Sequence, residues 1–238
     1  MAKHAVASAE RQTQVDLFRW ELPGMDFPLY NDETLALWQP AVLILCAILA
    51  VTVPRFFTDD RVIKAAIMFF GTLVPFLILV RGDIGSIIKR PRWRDIPLVL
   101  IALVLTIVYS IGMGLLLSRM LGVQVQPNAL YQEEKGALFY QAMLVQLFGE
   151  EMLKLDVLLG VMTLAYRWTD NRKTSVVLAA FATMFVFGIA HLAAYNGSIL
   201  QILLVQGLGS IFDLFCYMRT KNVLTSYAMH VMLDFMFV

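Results

Sequence analysis

Seven apolar runs divide the chain, with polar and charged residues gathered in the gaps between them. The runs cover about residues 36–54, 62–80, 96–118, 137–166, 174–195, 199–218 and 223–238. A helix needs ~20 largely apolar residues to cross a bilayer. Six runs reach that length or come near it; the last is short, and the fourth is longer than a crossing needs and is expected to tilt or protrude. Pro40, Pro75 and Pro97 fall within or at the starts of these runs, where neighbouring membrane helices re-satisfy the freed carbonyls. The pattern predicts an all-α polytopic membrane helix bundle of about seven to eight transmembrane helices, the eighth a re-entrant piece. It divides into an N-terminal segment at 1–36, membrane helices at 37–136 and a second set of membrane helices at 137–238, forming one membrane domain overall.

Composition agrees with the pattern. The chain is 59% apolar and 16% charged, against roughly 25% charged in soluble domains. A net charge of +1 gives no reason to expect nucleic acid as a partner; the bilayer is the expected surroundings. Cys46 and Cys216 both lie in apolar runs, which argues against a disulfide framework and against a zinc–cysteine site. Residues 1–36 lack a short apolar stretch followed by a small-residue cleavage site, so no signal peptide is expected.

Charge also gives an orientation. Lys3, Arg11, Arg19, Arg81, Lys89, Arg90, Arg92, Arg94, Arg167, Arg172, Lys173, Arg219 and Lys221 fall on one side of the predicted bundle. The other side has Arg55, Arg61, Lys64, Arg119 and Lys135. The positive-inside rule then predicts a cytoplasmic N-terminus and an extracytoplasmic C-terminus in the plasma (inner) membrane. The acidic pair Glu133-Glu134, beside the surface, is expected to be solvated.

The fourth run carries the chemistry. Glu150, Glu151, Lys154 and Asp156 lie inside it, and a carboxylate at bilayer depth costs at least about 2.5 kcal/mol, so each needs a partner or a purpose. On a helix Gln146, Glu150 and Lys154 share one arc, Glu151 lies further round, and Asp156 points to the opposite side. The spacing of Glu150 and Lys154 suits an i,i+4 ion pair. His191 closes the fifth run, and His230 lies in the seventh with Asp234 one turn on; His4, in the polar segment, carries no expectation. Charged and polar side chains in lipid are most cheaply turned toward one another inside a bundle. Together they suit activated water: a Glu beside a His accepts a proton and returns it to the leaving amine, while a second His donates to the oxyanion. No Gly-x-Ser-x-Gly and no His-Glu-x-x-His occurs, so neither a serine nucleophile nor a zincin helix is expected. No cofactor is expected; the alternative is a divalent metal such as zinc on Glu150, His191 and His230.

Three motifs in order, Glu150-Glu151, Phe187-x-x-x-His191 and His230-x-x-x-Asp234, resemble those of the CAAX protease and bacteriocin-processing (CPBP, or Abi) family of intramembrane glutamic endopeptidases. The resemblance covers residues 137–238, which would form the catalytic membrane core. It implies a protease acting on a membrane-anchored protein or peptide. Glu150 would be the general base, with His191 holding the water. Glu151 would support the site, and His230 with Asp234 would stabilise the oxyanion. The family's Glu-Glu-x-x-x-Arg places Leu155 at the Arg position here, with Lys154 the nearest cation; a related set of glutamic intramembrane proteases carries Glu-Glu-x-x-Lys. Two other classes remain open on the residues: a proton- or cation-coupled transporter, and a catalytically silent CPBP-like scaffold or immunity protein. Asp213 is a further membrane carboxylate to which the motifs assign no role.

Overall fold

A computed structural model describes residues 17–128 and 134–238. Glu133, and the ionisable residues at positions 3, 4, 10, 11 and 16, lie outside the described residues. Every apolar run forms a helix: α1 Trp38–Thr52, α2 Arg61–Leu79, α3 Ile96–Leu115, α4 Ala137–Thr169, α5 Arg172–Ala190, α6 Ile211–Thr220 and α7 Val223–Phe235. The caps follow local sequence. The Asp60 side chain accepts from the Ile63 N–H at 3.0 Å, Asn171 from Thr174 at 3.0 Å and Asn222 from Leu224 at 3.2 Å, each satisfying a donor that the first helical turn leaves open. Before α6 the chain runs through one turn at Ile199–Gln201 and a π-helical stretch at Ile202–Gly207.

Fewer segments qualify as crossings by length and composition than the seven to eight expected. Five helical segments among the described residues are long and apolar enough to cross a membrane: Trp38–Phe56, Arg61–Leu79, Trp93–Met120, Arg172–Ala190 and Ile199–Thr220. Helix α4 has the length, ~50 Å at 1.5 Å per residue, but its centre is too charged to face lipid. Helix α7, 13 residues long, extends only ~20 Å. A second boundary also moves. Helix α5 stops at Ala190 and His191 is its C-cap, because residues 191–197 form turns that end with Asn196 and Gly197 at positive φ.

The long charged helix is the one the others surround. Helices α1, α2, α5 and α7 all pack on α4, and every residue from Gly149 to Gly160 is buried. Gly149 and Gly160 allow close approaches: a Cβ at the first would lie 3.1 Å from the backbone nitrogen of Phe69 on α2, and one at the second 3.0 Å from the Pro40 carbonyl oxygen on α1. Helix α3 packs outside, against α6, α7 and the π-helical stretch. The main apolar core runs along α4 through Met152, Leu155, Leu159 and Met162 to Phe76 on α2, Val176 on α5 and Leu214 and Tyr217 on α6. The molecule is an all-helical integral membrane protein.

Residues 17–36 are tied onto one end of this bundle. The buried Glu21 carboxylate accepts from Arg172 at 2.6 and 2.8 Å and from Lys221 Nζ at 2.7 Å. Asp26 accepts from Arg172 Nη2 at 2.7 Å and from the Tyr30 hydroxyl at 2.7 Å. Burial opposes ionisation of Glu21, but the bonds from Arg172 and Lys221 outweigh it and hold the carboxyl below its usual range. The 81–95 loop joins the same end, where Asn222 bonds both backbone groups of Lys89 at 3.2 and 3.1 Å.

Candidate active site

The site lies toward the end of the bundle opposite that clasp. Helix α4 supplies Glu150, Glu151 and Lys154, the C-cap of α5 supplies His191, and α7 supplies His230 and Asp234. Glu150 Oε2 stands 3.9 Å from His191 Nε2 and 3.8 Å from His230 Nε2, and His230 Nε2 is 3.9 Å from Asp234 Oδ1. All five residues expected from the sequence therefore meet in one place. Gln146, one turn before Glu150, donates to Glu150 Oε1 at 2.8 Å, which leaves Oε2 turned toward the imidazoles.

Hydrogen bonds fix how the rings are used. His191 Nδ1 lies 2.9 Å from the Phe187 carbonyl oxygen, which only accepts, so Nδ1 carries a proton and Nε2 is the nitrogen that faces Glu150. His230 Nδ1 is 2.7 Å from Glu151 Oε1 and likewise donates, so its Nε2 faces Glu150 and Asp234. The two glutamates thus divide their tasks: Glu150 faces open space, and Glu151 orients a ring.

Lys154 completes the group, with a partner other than the one its spacing suggested. Its ammonium lies 2.5 Å from Glu151 Oε1 and also bonds the Asp213 carboxylate, and it sits 4.5 Å from the centre of the Phe187 ring. The expected Glu150–Lys154 pair is replaced by a buried Glu151–Lys154–Asp213 triad. Asp213 enters from the first turn of α6, 59 residues from Lys154. The sequence signalled only that a carboxylate in an apolar run needs a counter-charge. Asp156 is elsewhere: it is fully buried, and neither carboxyl oxygen has a hydrogen-bond partner among the described residues.

Two sets of side chains bear on metal binding. Ligating atoms of Glu151, Asp213 and His230 lie within 4.8 Å of one another, but the Lys154 ammonium already provides the positive charge between the two carboxylates. The set expected from the sequence, Glu150, His191 and His230, has the separations given above and a donor set of two nitrogens and one oxygen, which suits zinc.

Two hollows meet at the site. A cavity of about 470 Å³ reaches Glu150, His191 and Asp234 from the end of the bundle where α1 passes into α2, and its mouth is lined by Arg55, Asp59, Arg61 and Lys64. A smaller one, about 130 Å³, lies on the far side of His191 and His230, with Ser110, Gln206 and Asp213 among its walls. The glutamate is therefore reachable from the end of the bundle, and the site has polar space beside it.

Residues 133–236 match the family model of the type II CAAX prenyl endopeptidases, Rce1-like. No curated protein and no solved structure matches the chain. The matched segment begins in the α3–α4 loop, ends within two residues of the end of the chain, and contains the three motifs and Asp213. The matched residues 133–236 are the ones that bring together Glu150, Glu151, His191, His230 and Asp234, and over them the chain is similar to the Rce1-like CAAX proteases.

Proposed function

We propose that the protein is an intramembrane endopeptidase that hydrolyses a peptide bond of a membrane-anchored protein or peptide with water activated by Glu150. The carrying observation is the convergence of Glu150 Oε2, His191 Nε2 and His230 Nε2 at separations of 3.8–3.9 Å at the end of a cavity. Those gaps exceed a direct hydrogen bond and fit one bridging oxygen. A water there donates one proton toward Glu150 and the other toward the unprotonated Nε2 of His191, which aims its lone pair at a carbonyl in the cavity. Glu150 takes the proton as the C–O bond forms and delivers it to the departing amine. His230, as the imidazolium between Glu151 and Asp234, donates Nε2–H to the developing oxyanion.

In this reading the chemistry is supplied by the side chains alone, without zinc. The chain spans the plasma (inner) membrane several times, with the N-terminus in the cytoplasm and the C-terminus outside. Its cavity, at the end carrying Arg55 and Lys64, then opens to the extracytoplasmic face. The test is Glu150→Gln in proteoliposomes with the parental protein as control. Glutamine keeps the shape and the bond to Gln146 but cannot take a proton, so cleavage falls ~10²-fold or more. Equal cutting by the variant refutes the base assignment. Elemental analysis of the active parental preparation is expected to find no stoichiometric zinc; about one zinc per chain, lost together with activity in His191→Ala, refutes the metal-free mechanism.

A further inference from the structure

The mouth of the large cavity carries charge for which hydrolysis has no use. Arg55, Arg61 and Lys64 line it, and among the described residues at the rim Asp59 stands in solvent with its carboxylate 3.6 Å from Lys64 Nζ. Cations that merely mark the end of a membrane helix extend their heads outward to water. Arg55 and Arg61 are instead drawn in over the opening. Arg55 Nη2 donates to the carbonyl of Ala190 at 2.6 Å, the residue before His191. The Arg61 guanidinium lies 4.3 Å from the centre of the Phe139 ring, and its Nη2 reaches Gln146 Oε1 at 3.4 Å. Gln146 is the residue that holds Glu150. Two planar donor forks therefore stand on the way to the catalytic carboxylate. Planar, bidentate donors of this kind match a carboxylate.

Building on the peptidase reading of the same site, we propose that Arg55 and Arg61 bind a carboxylate of the substrate, on the stretch of its chain between the cut bond and the cavity mouth. A terminal carboxylate and an acidic side chain offer the same chemistry there. A lipid phosphate is the competing occupant. The cavity favours the peptide, because it lines up the two arginines with Glu150 in one hollow.

The test is a binding measurement, so its failure is distinct from a failure to cut. Full-length Glu150→Gln protein in phosphatidylcholine nanodiscs is titrated with three fluorescent acylated peptides of one sequence. The first ends in a free acid, the second in an amide, and the third is the amide with one Glu near that end. At least one carboxylate peptide is expected to bind about tenfold or more tightly than the plain amide, the scale of one charge-assisted hydrogen bond. Tighter binding of the acid alone identifies a chain terminus as the ligand; tighter binding of both identifies any nearby carboxylate. Adding Arg55→Gln, Arg61→Gln or both should remove the preference while the affinity for the amide is retained, which also shows that the variants are folded. Equal binding of all three peptides overturns the proposal, as does a preference that survives in the double variant. So does a preference abolished when part of the phosphatidylcholine is replaced by phosphatidylglycerol, which would give the arginines to lipid. A parental protein that cuts none of the peptides while binding them with this preference would count against the peptidase and leave the arginine site standing.

Discussion

Lys154 is 2% exposed and is held between two carboxylates brought from different helices. Taking an ammonium and two carboxylates out of water costs several kcal/mol per ion, and only their mutual contact offsets it. One residue further on, at the position where the family motif has arginine, Leu155 packs into the apolar core with Leu159 and Phe76. Moving the cation by one position turns it about 100° round α4, away from that core and toward α6, where Asp213 meets it. Lys154→Met leaves Glu151 and Asp213 buried without their cation and should destabilise the protein by about 3–5 kcal/mol. Pairing it with Asp213→Leu removes the second stranded charge and leaves Glu151 on His230. The double variant should therefore melt closer to the parent than Lys154→Met does, as read by thermal unfolding in detergent. Parental melting of Lys154→Met, or a double variant no better than the single, would show that the triad contributes little.

Among the elements, α4 sets what each neighbour must do. A helix buried through its charged centre needs partners that approach closely on every side, and small residues mark those approaches. The neighbours also pack closely on one another, as at the last turn of α5. A Cβ on Gly188 would lie 2.7 Å from the Ile202 carbonyl oxygen and 3.2 Å from the Gly207 Cα, so α5 rests directly on the π-helical stretch that leads to α6. His191 follows three residues later, fixed by its bond to Phe187. Gly188→Ala should push these two segments apart at a cost of about 1–3 kcal/mol and displace His191 from Glu150, lowering turnover per folded molecule as well as melting temperature. Gly112→Ala, on α3, meets nothing within 4 Å and serves as the control. A Gly188→Ala protein that melts and cuts like the control would mean that this contact does not position the histidine.

At the scale of the whole molecule, the helices and the five-residue site were legible in the sequence because both rest on local signals: apolar run length, and costly side chains that can be tolerated in lipid only face to face. What was not legible depends on distant pairing. Nothing near Lys154 announces Asp213. Nothing in the mixed polar stretch before α1 announces the pairing of Glu21 with Arg172 and Lys221, 151 and 200 residues away. Fewer segments qualify as crossings by length and composition than the apolar runs suggested, because run length alone does not separate a lipid-facing helix from α4, which is enclosed by protein. The loops, in contrast, sort by end as their charges suggested. Residues 17–36, the 81–95 loop, Arg172 and Lys221 are bonded together at one end, while Arg55 meets Ala190 and Gln126 meets Gln201 at 2.8 Å at the other. The proposed orientation rests on the richer share of Lys and Arg at the first end, which the positive-inside rule assigns to the cytoplasm; in that orientation the cavity with its arginine rim faces out. Ser198 and Arg90 probe the two ends: both lie in irregular stretches with accessible side chains, and neither has the positive φ that would strain a cysteine at Gly197. In a chain with Cys46 and Cys216 replaced by alanine, Ser198→Cys should react with an impermeant maleimide added to intact cells. Arg90→Cys should react only after the membrane is opened. The reverse pattern would turn the molecule over and place both the cavity and the peptide bond it cuts on the cytoplasmic side.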